Sequence, residues 1–266
     1  MNLRAGDLVS IQWTGDWPID DDNKLTIAGL IPVTQPDAKI NLCGTILTRW
    51  LSARDLAKNA AAIVDGLAPG FRHLFNAIFW PSGRFENYVR GPSSRGHHHN
   101  RPHGNLAHSL EVARVAMNLA EYSNLVDRDV VVMATLLHDA AKSEEYVLDA
   151  DGAHRDWSDE GSLLGHRIMI YGWIEAAMAV HQIAIPVRQI LALNHVLLAT
   201  EGIPAWTSFP EPRMLEAKIL AAADRLSGSY DIYSALAPDA GGFGSKHWSM
   251  KHAPYFSLAA QPIGED

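Results

Sequence analysis

The spacing of apolar residues along the chain changes character once, near residue 52. Before it the pattern alternates. Leu8-Val-Ser-Ile-Gln-Trp13 and Leu25-Thr-Ile-Ala-Gly-Leu-Ile31 place apolar side chains at every second position, as half-buried strands require. Trp17-Pro-Ile-Asp-Asp-Asp-Asn23 between them is turn chemistry, and Leu42 to Leu47 suits a third short strand. From Ser52 the period is helical. Leu51, Leu56, Ile63 and Leu67 mark one helix that ends at Ala68-Pro69-Gly70, and the aromatic-rich stretch Phe71 to Tyr88 reads as one helix or two short ones. Residues 89–104, VRGPSSRGHHHNRPHG, carry three Gly and two Pro with neither period, and form a loop.

Beyond that loop the chain reads as helical almost throughout. Asn105 is a candidate cap for a helix to about Ser123, Asp127 or Asp129 for one through Ala141, and Ser158 for one through about Val180. Pro186 opens a helix to about Ala199, and Pro212 another that reaches Ser229. Asp149 to Trp157 is a polar excursion between helices. The expected layout is a small β-rich region over residues 1–50, a helical domain over 51–235 and a C-terminal extension over 236–266. The fold class is mainly α. No internal repeat or low-complexity tract is apparent, and Gly241-Gly242-Phe-Gly244 follows no strand and opens no helix, so it is not a dinucleotide loop.

Composition narrows the classes. Of 266 residues, 47% are apolar and 20% charged, which excludes a disordered, collagenous or coiled-coil chain. One cysteine, Cys43, excludes an intramolecular disulfide framework and cysteine-clustered zinc or iron–sulfur sites. The N-terminal MNLRAGDLVSIQW has no apolar signal core, and Val130 to Leu137 is far short of a membrane span, so the expectation is a soluble, cytoplasmic protein with no membrane partner. A net charge of −8 does not advertise a nucleic-acid binder, although bound metal ions and local basic patches hold phosphate on acidic proteins. The unusual figure is 13 His, five of them between residues 97 and 108.

Several of these histidines sit where burial is costly. In Leu136-Leu-His138-Asp139-Ala-Ala-Lys142 a histidine and a carboxylate end an apolar helix, and a buried carboxylate needs a cation or several donors. His108, His166, His195 and Asp224 have the same character, each a ligand-type residue in an apolar helical stripe. One such histidine alone is more often a satisfied core residue. Four His and two Asp spread over several helices are instead a ligand set for one or two divalent ions inside a helical bundle. Imidazole-rich ligation with carboxylates suits Mn, Fe, Co, Ni or Zn better than Ca or Mg.

The order H…HD…H…H…D resembles the HD-domain metal-dependent phosphohydrolases, an all-helical superfamily. His138-Asp139 matches its defining doublet, His108 the preceding histidine, Asp224 the closing aspartate and Lys142 the lysine that often follows the doublet. His166 and His195 match the additional histidines of the dinuclear branch. The stretch Ser93-Ser-Arg-Gly-His-His98-His99-Asn-Arg-Pro-His-Gly104-Asn-Leu-Ala-His108-Ser-Leu-Glu-Val is similar to "His-His, four residues, Gly-Gly-Leu-Leu-x-His-Thr-Leu-Glu-Val". That lead-in is shared by 3′→5′ exoribonucleases with an N-terminal OB-type domain and by the HD domain of MobH-type relaxases. Glu160-Gly-Ser-Leu-Leu-Gly-His166 also resembles an exoribonuclease motif. The likeness covers roughly residues 72 to 230. His103 replaces the first glycine of the lead-in, Asn105 its first leucine, and Asn194 stands where a second histidine often precedes His195.

The resemblance implies an HD-type helical bundle and a metal-dependent phosphohydrolase. His108, His138, Asp139 and Asp224 would hold one ion, and His166 and His195 a second, with Asp139 bridging. Paired cations generate hydroxide near neutral pH and neutralise charge that builds on phosphorus. Lys142 is expected either on a phosphate oxygen or as a solvated helix-end lysine. Arg95, His98, His99, Arg101 and His103 make the loop before His108 the expected substrate contact, with Arg84 and Arg90 extending it and Phe85 and Tyr88 stacking on bases. The expected activity is a phosphodiesterase acting stepwise from the 3′ end of single-stranded RNA or DNA. The alternatives are a nucleotidase, a relaxase-like enzyme and a non-catalytic nucleic-acid-processing module.

Overall fold

The computed structural model describes residues 3, 7–15, 24, 26–81, 83–96, 98–199, 209–239 and 241–257. The turn expected at Trp17–Asn23, the strand start at Leu25 and His97 lie outside the described residues. The fold is mainly α, as the change of period predicts. Strands β1 (Val9–Trp13) and β2 (Ile27–Pro32) pair antiparallel, with Ile11 opposite Leu30. Leu42 to Leu47 is not a third strand. Leu42–Thr45 forms a single 3-10 turn, because the Asn41 side chain accepts from the Gly44 N–H and tightens the chain there.

Helix α1 (Arg54–Asp65) is shorter than its apolar periodicity, and Leu51 and Leu67 are buried just outside its ends. Pro69 does not close that helix; it occupies the first turn of α2 (Pro69–Phe79), where a missing N–H costs nothing. The aromatic stretch is two helices, α2 and α3 (Arg84–Arg90), folded so that Phe75, Phe79 and Tyr88 stack at centroid distances of 4.7 and 4.8 Å. The Tyr88 hydroxyl donates to the Leu136 carbonyl and ties α3 to the turn ahead of the His-Asp doublet.

Helix α4 (Gly104–Ala120) starts two residues earlier than expected, and Asn105 is not its cap. The chain instead enters through His103 at φ +65°, and Asn105 turns inward to donate to the Asp139 carbonyl. Gly104 is required there, since a Cβ would lie 2.0 Å from the His99 carbonyl oxygen. Helix α5 (Arg128–Leu137) is capped by Asp127, whose carboxylate accepts from the N–H groups of Asp129 and Val130. Val130 to Leu137 are all buried, so α5 is the central rod of the core. It packs on α4, on α9 (Val187–Leu198) and on α10 (Leu215–Leu236), and α4 also packs on α10.

The doublet lies at the C-terminal end of α5, followed by the single turn α6 (Lys142–Glu145). The polar excursion is a β-hairpin, β3 (Tyr146–Leu148) and β4 (His154–Trp157). Ser158 caps only α7 (Asp159–Leu163). The chain breaks at Gly165, φ +73°, before α8 (His166–Val180), and the break sets His166 at a helix start. A two-residue ladder, β5 (Gly242–Phe243) with β6 (Tyr255–Phe256), ends the described chain.

Candidate metal centre

Three helix ends and the middle of α10 meet around one point. Nε2 of His108, from α4, lies 3.1 Å from Nε2 of His138 and 3.2 Å from Asp224 Oδ1. It is 3.5 Å from Asp139 Oδ2. His138 Nε2 is 3.8 Å from both carboxylates, and His166 Nε2 approaches Asp139 Oδ1 at 3.6 Å. His108 is fully buried and Asp139 nearly so.

Hydrogen bonds on the far side of each ring fix its tautomer. The Nδ1–H of His138 donates to the Thr135 carbonyl at 2.9 Å, since a carbonyl only accepts. His166 Nδ1–H donates to the Glu145 carboxylate at 3.2 Å. Ser227 Oγ donates to Glu111 at 2.9 Å, so it accepts from His108 Nδ1–H at 3.1 Å. All three Nε2 atoms therefore present lone pairs to each other and to two carboxylates. That arrangement repels itself unless a cation sits among them, and carboxylate- or carbonyl-backed imidazoles are the usual metal-binding form. The donor set fits a divalent transition metal.

The same field sets the protonation states. Burial works to raise the Asp139 carboxyl, but Lys142 and the three imidazoles outweigh it and hold it well below the usual carboxylate range. Asp224 is lowered likewise, against burial, by His108 and His138 when those rings carry a proton towards it in place of a cation. Burial is the main cause that lowers His108, and it pushes His98 down to about 4, with the neighbouring His108, Lys142 and His99 adding to the effect.

The other expected site residues fall in several places. Lys142 Nζ donates to Asp139 Oδ2 at 2.7 Å, and Ser93 Oγ donates to the same oxygen at 3.0 Å. His195 is half-buried on α9, and its Nε2 accepts from the Arg213 backbone N–H at 3.0 Å; its neighbours Val196 and Leu197 face the cavity beside the cluster. His98 stands beside the cluster, its ring 5.1 Å from that of His108.

His99 is wholly buried at φ +53°, its Nε2–H donating to Glu111 and its backbone N–H to Asp231, so it braces the loop from beneath. His103 donates through Nδ1 to the Val89 carbonyl and fastens the loop to α3. Arg101 pairs with Asp231 at 2.9 Å, while Arg95 is exposed. Arg84 and Arg90 do not extend a basic patch. Arg84 is held by Glu144 and the Trp173 ring, and Arg90 by Glu86 and the Ala150 carbonyl. Phe85 and Tyr88 are buried and offer no face to a base, because the α2–α3 aromatic cluster uses both.

Four residues escape a reading of the sequence: Glu111, Glu145 and Ser227, which orient the imidazoles, and Arg167, which faces the cavity. Glu111 is visible three residues after His108, on the same helix face. The others carry no signal at the sequence level.

Residues 105–229 match the family model of the HD domain. All six ligand-type residues fall within the match. Among curated proteins, the chain is similar to the 3′-5′ exoribonuclease YhaM of Bacillus licheniformis, 28% identical over 148 residues, 55% of this chain and 45% of the relative. The protein of the same name from Bacillus pumilus is 28% identical over 213 residues, 79% of this chain and 65% of the relative. That from Bacillus subtilis is 28% identical over 142 residues, 53% and 43%. The chain thus spans about half the length of most of these relatives. No solved structure matches it significantly. Among the described residues, no helix is long and apolar enough to cross a membrane.

Proposed function

We propose that the chain is a metal-dependent phosphohydrolase that cleaves phosphodiesters of single-stranded nucleic acid from the 3′ end and releases nucleoside 5′-monophosphates. The observation that carries this reading is the meeting of three imidazole lone pairs with Asp139 and Asp224 at a half-open cavity. Residues His108, His138, Asp139 and Asp224 would hold one divalent ion, with His166 on the free oxygen of Asp139 for a second. Bound there, such ions lower the pKa of water and offset charge on phosphorus. Lys142 and Ser93 hold Asp139 ionised and oriented, so its second oxygen stays directed at His166. Glu111, Ser227 and Glu145 keep the rings in their ligating tautomers. The polymer preference draws on the exoribonucleases to which the chain is similar.

The test is metal analysis of the purified protein, followed by incubation with bis-para-nitrophenyl phosphate, short single-stranded RNA and DNA, and mononucleotides. Stepwise loss of 3′ nucleotides that stops with a chelator is the expected result. Release of inorganic phosphate from mononucleotides, with oligonucleotides untouched, would make the protein a nucleotidase. Inertness of the metal-loaded protein on every substrate would leave a binding module.

A further inference from the structure

The cavity of about 180 Å³ beside the cluster is faced by His138, Asp139, His166 and Asp224, and also by Arg167 and Arg225. Each arginine directly follows a ligand-type residue on a rigid helix, Arg167 in the first turn of α8 and Arg225 on α10. Neither Arg95 nor Arg101, the arginines of the loop, lines it. The rest of the wall consists of small and apolar side chains of α9 and α10, among them Ala217, Leu220 and Ala221.

We propose that Arg167 and Arg225 form the phosphate-holding subsite of this centre, and that the nucleobase of the substrate stays outside the cavity. The inference rests on reading the centre as a phosphohydrolase. Charge supports the first half. A phosphate entering between Asp139 and Asp224 meets two carboxylates, and guanidiniums offer it fixed pairs of donors in a geometry that matches its oxygens. Size and lining support the second half. Sites that enclose a drug-sized ligand have roughly 300–1,000 Å³, well above this cavity. The alanine and leucine side chains carry no donor or acceptor with which to tell one base edge from another. The site therefore admits a phosphate with part of its sugar, and cleavage is indifferent to the base.

Titration of the metal-loaded protein with inorganic phosphate, followed by calorimetry, reads the subsite without turnover. Arg167→Ala and Arg225→Ala should each weaken phosphate binding about tenfold or more, with metal content near wild type. Arg225→Lys, which keeps the charge without the paired donors, should fall between. A double alanine variant with intact metal content and phosphate binding within about twofold of wild type would overturn the subsite. For the base, kcat/KM on four homo-oligoribonucleotides should agree within about tenfold, whereas a preference beyond about a hundredfold for one base would overturn its exclusion. Arginine-dependent phosphate binding in a protein that cleaves no diester would retire the hydrolase reading and leave the subsite standing.

Discussion

At the scale of single residues, the centre depends on groups that never touch the metal position. An imidazole ligates through one nitrogen only if the other keeps its proton, and here Glu145, Thr135 and Ser227 each hold that proton away from the cluster. Replacing such a partner typically costs 10–100-fold in metal affinity. Glu145→Gln should therefore weaken metal binding by roughly that factor, because the amide can present N–H to His166 Nδ1 and reverse the ring's tautomer. Calorimetric titration of the apoprotein with Mn²⁺ or Zn²⁺ measures it, and an unchanged affinity would remove Glu145 from the centre. The pH dependence follows from the same burial. His98, pushed down to about 4, and His108, also lowered, stay neutral in the fold but take up protons near 6.5 when unfolded. Between those values the unfolded chain binds more protons, so stability falls as pH drops from about 6.5 towards 4. Asp139, lowered instead, keeps its contribution until pH falls through its own depressed value, so the histidines act first. Thermal unfolding with a chelator should show a midpoint that declines over this range; a flat profile would contradict it.

At the scale of elements, the connection between α6 and α7 matters more than its length suggests. Gly161 in α7 lies against Glu145, and a Cβ there would sit 2.4 Å from the Glu145 carbonyl oxygen and 2.8 Å from its Cα. Backbone cannot yield as a flexible side chain does, so Gly161→Ala should cost about 1–3 kcal/mol and displace the carboxylate that orients His166. Paired measurements of thermal midpoint and metal affinity should show both losses; a loss of stability alone would separate α7 from the centre. The helices themselves are legible in the sequence, because their apolar faces repeat at helical spacing and Asp127 and Ser158 are good caps. Their ends are less so. The sequence from Ser158 to Val180 reads as one helix, and only the left-handed Gly165 shows why it is two. The loop before His108 is legible as a loop, yet its composition points every histidine and arginine in it toward substrate. His99 is taken up by Glu111 on the helix that follows, and His99 and Arg101 by Asp231, a residue distant in sequence whose approach requires the α4–α10 packing. The meeting of His108, His138, Asp139, His166 and Asp224 is legible because a carboxylate on an apolar stripe is costly to bury without a cation beside it, whereas His195 accepts instead from the Arg213 backbone. Arg167 is not, since an arginine beside a histidine looks the same whether it faces a cavity or solvent.

For the whole molecule, the question is how a chain of net charge −8 would hold a polyanion. A protein that grips a long strand does so through many Lys and Arg contacts, each releasing counterions, and for single strands log K falls with log salt by about 0.7 per phosphate neutralised. Here Arg84, Arg90 and Arg101 pair with carboxylates, and the arginines that line the cavity are Arg167 and Arg225. Two or three phosphate contacts are then all that the centre supplies, and the net negative charge of the chain repels the remainder of the strand. The KM for a single-stranded oligonucleotide should accordingly rise with salt along a log–log slope of only about 1.4–2. Lengthening the substrate beyond a few nucleotides should lower KM little, because among the described residues the cavity offers the added phosphates no further arginine or lysine. Initial rates on oligonucleotides of increasing length, each at several salt concentrations, give both quantities. A slope above about 4, or a KM that keeps falling with length, would require an extended basic track, and would shift strand binding away from the cavity to a surface outside the HD domain.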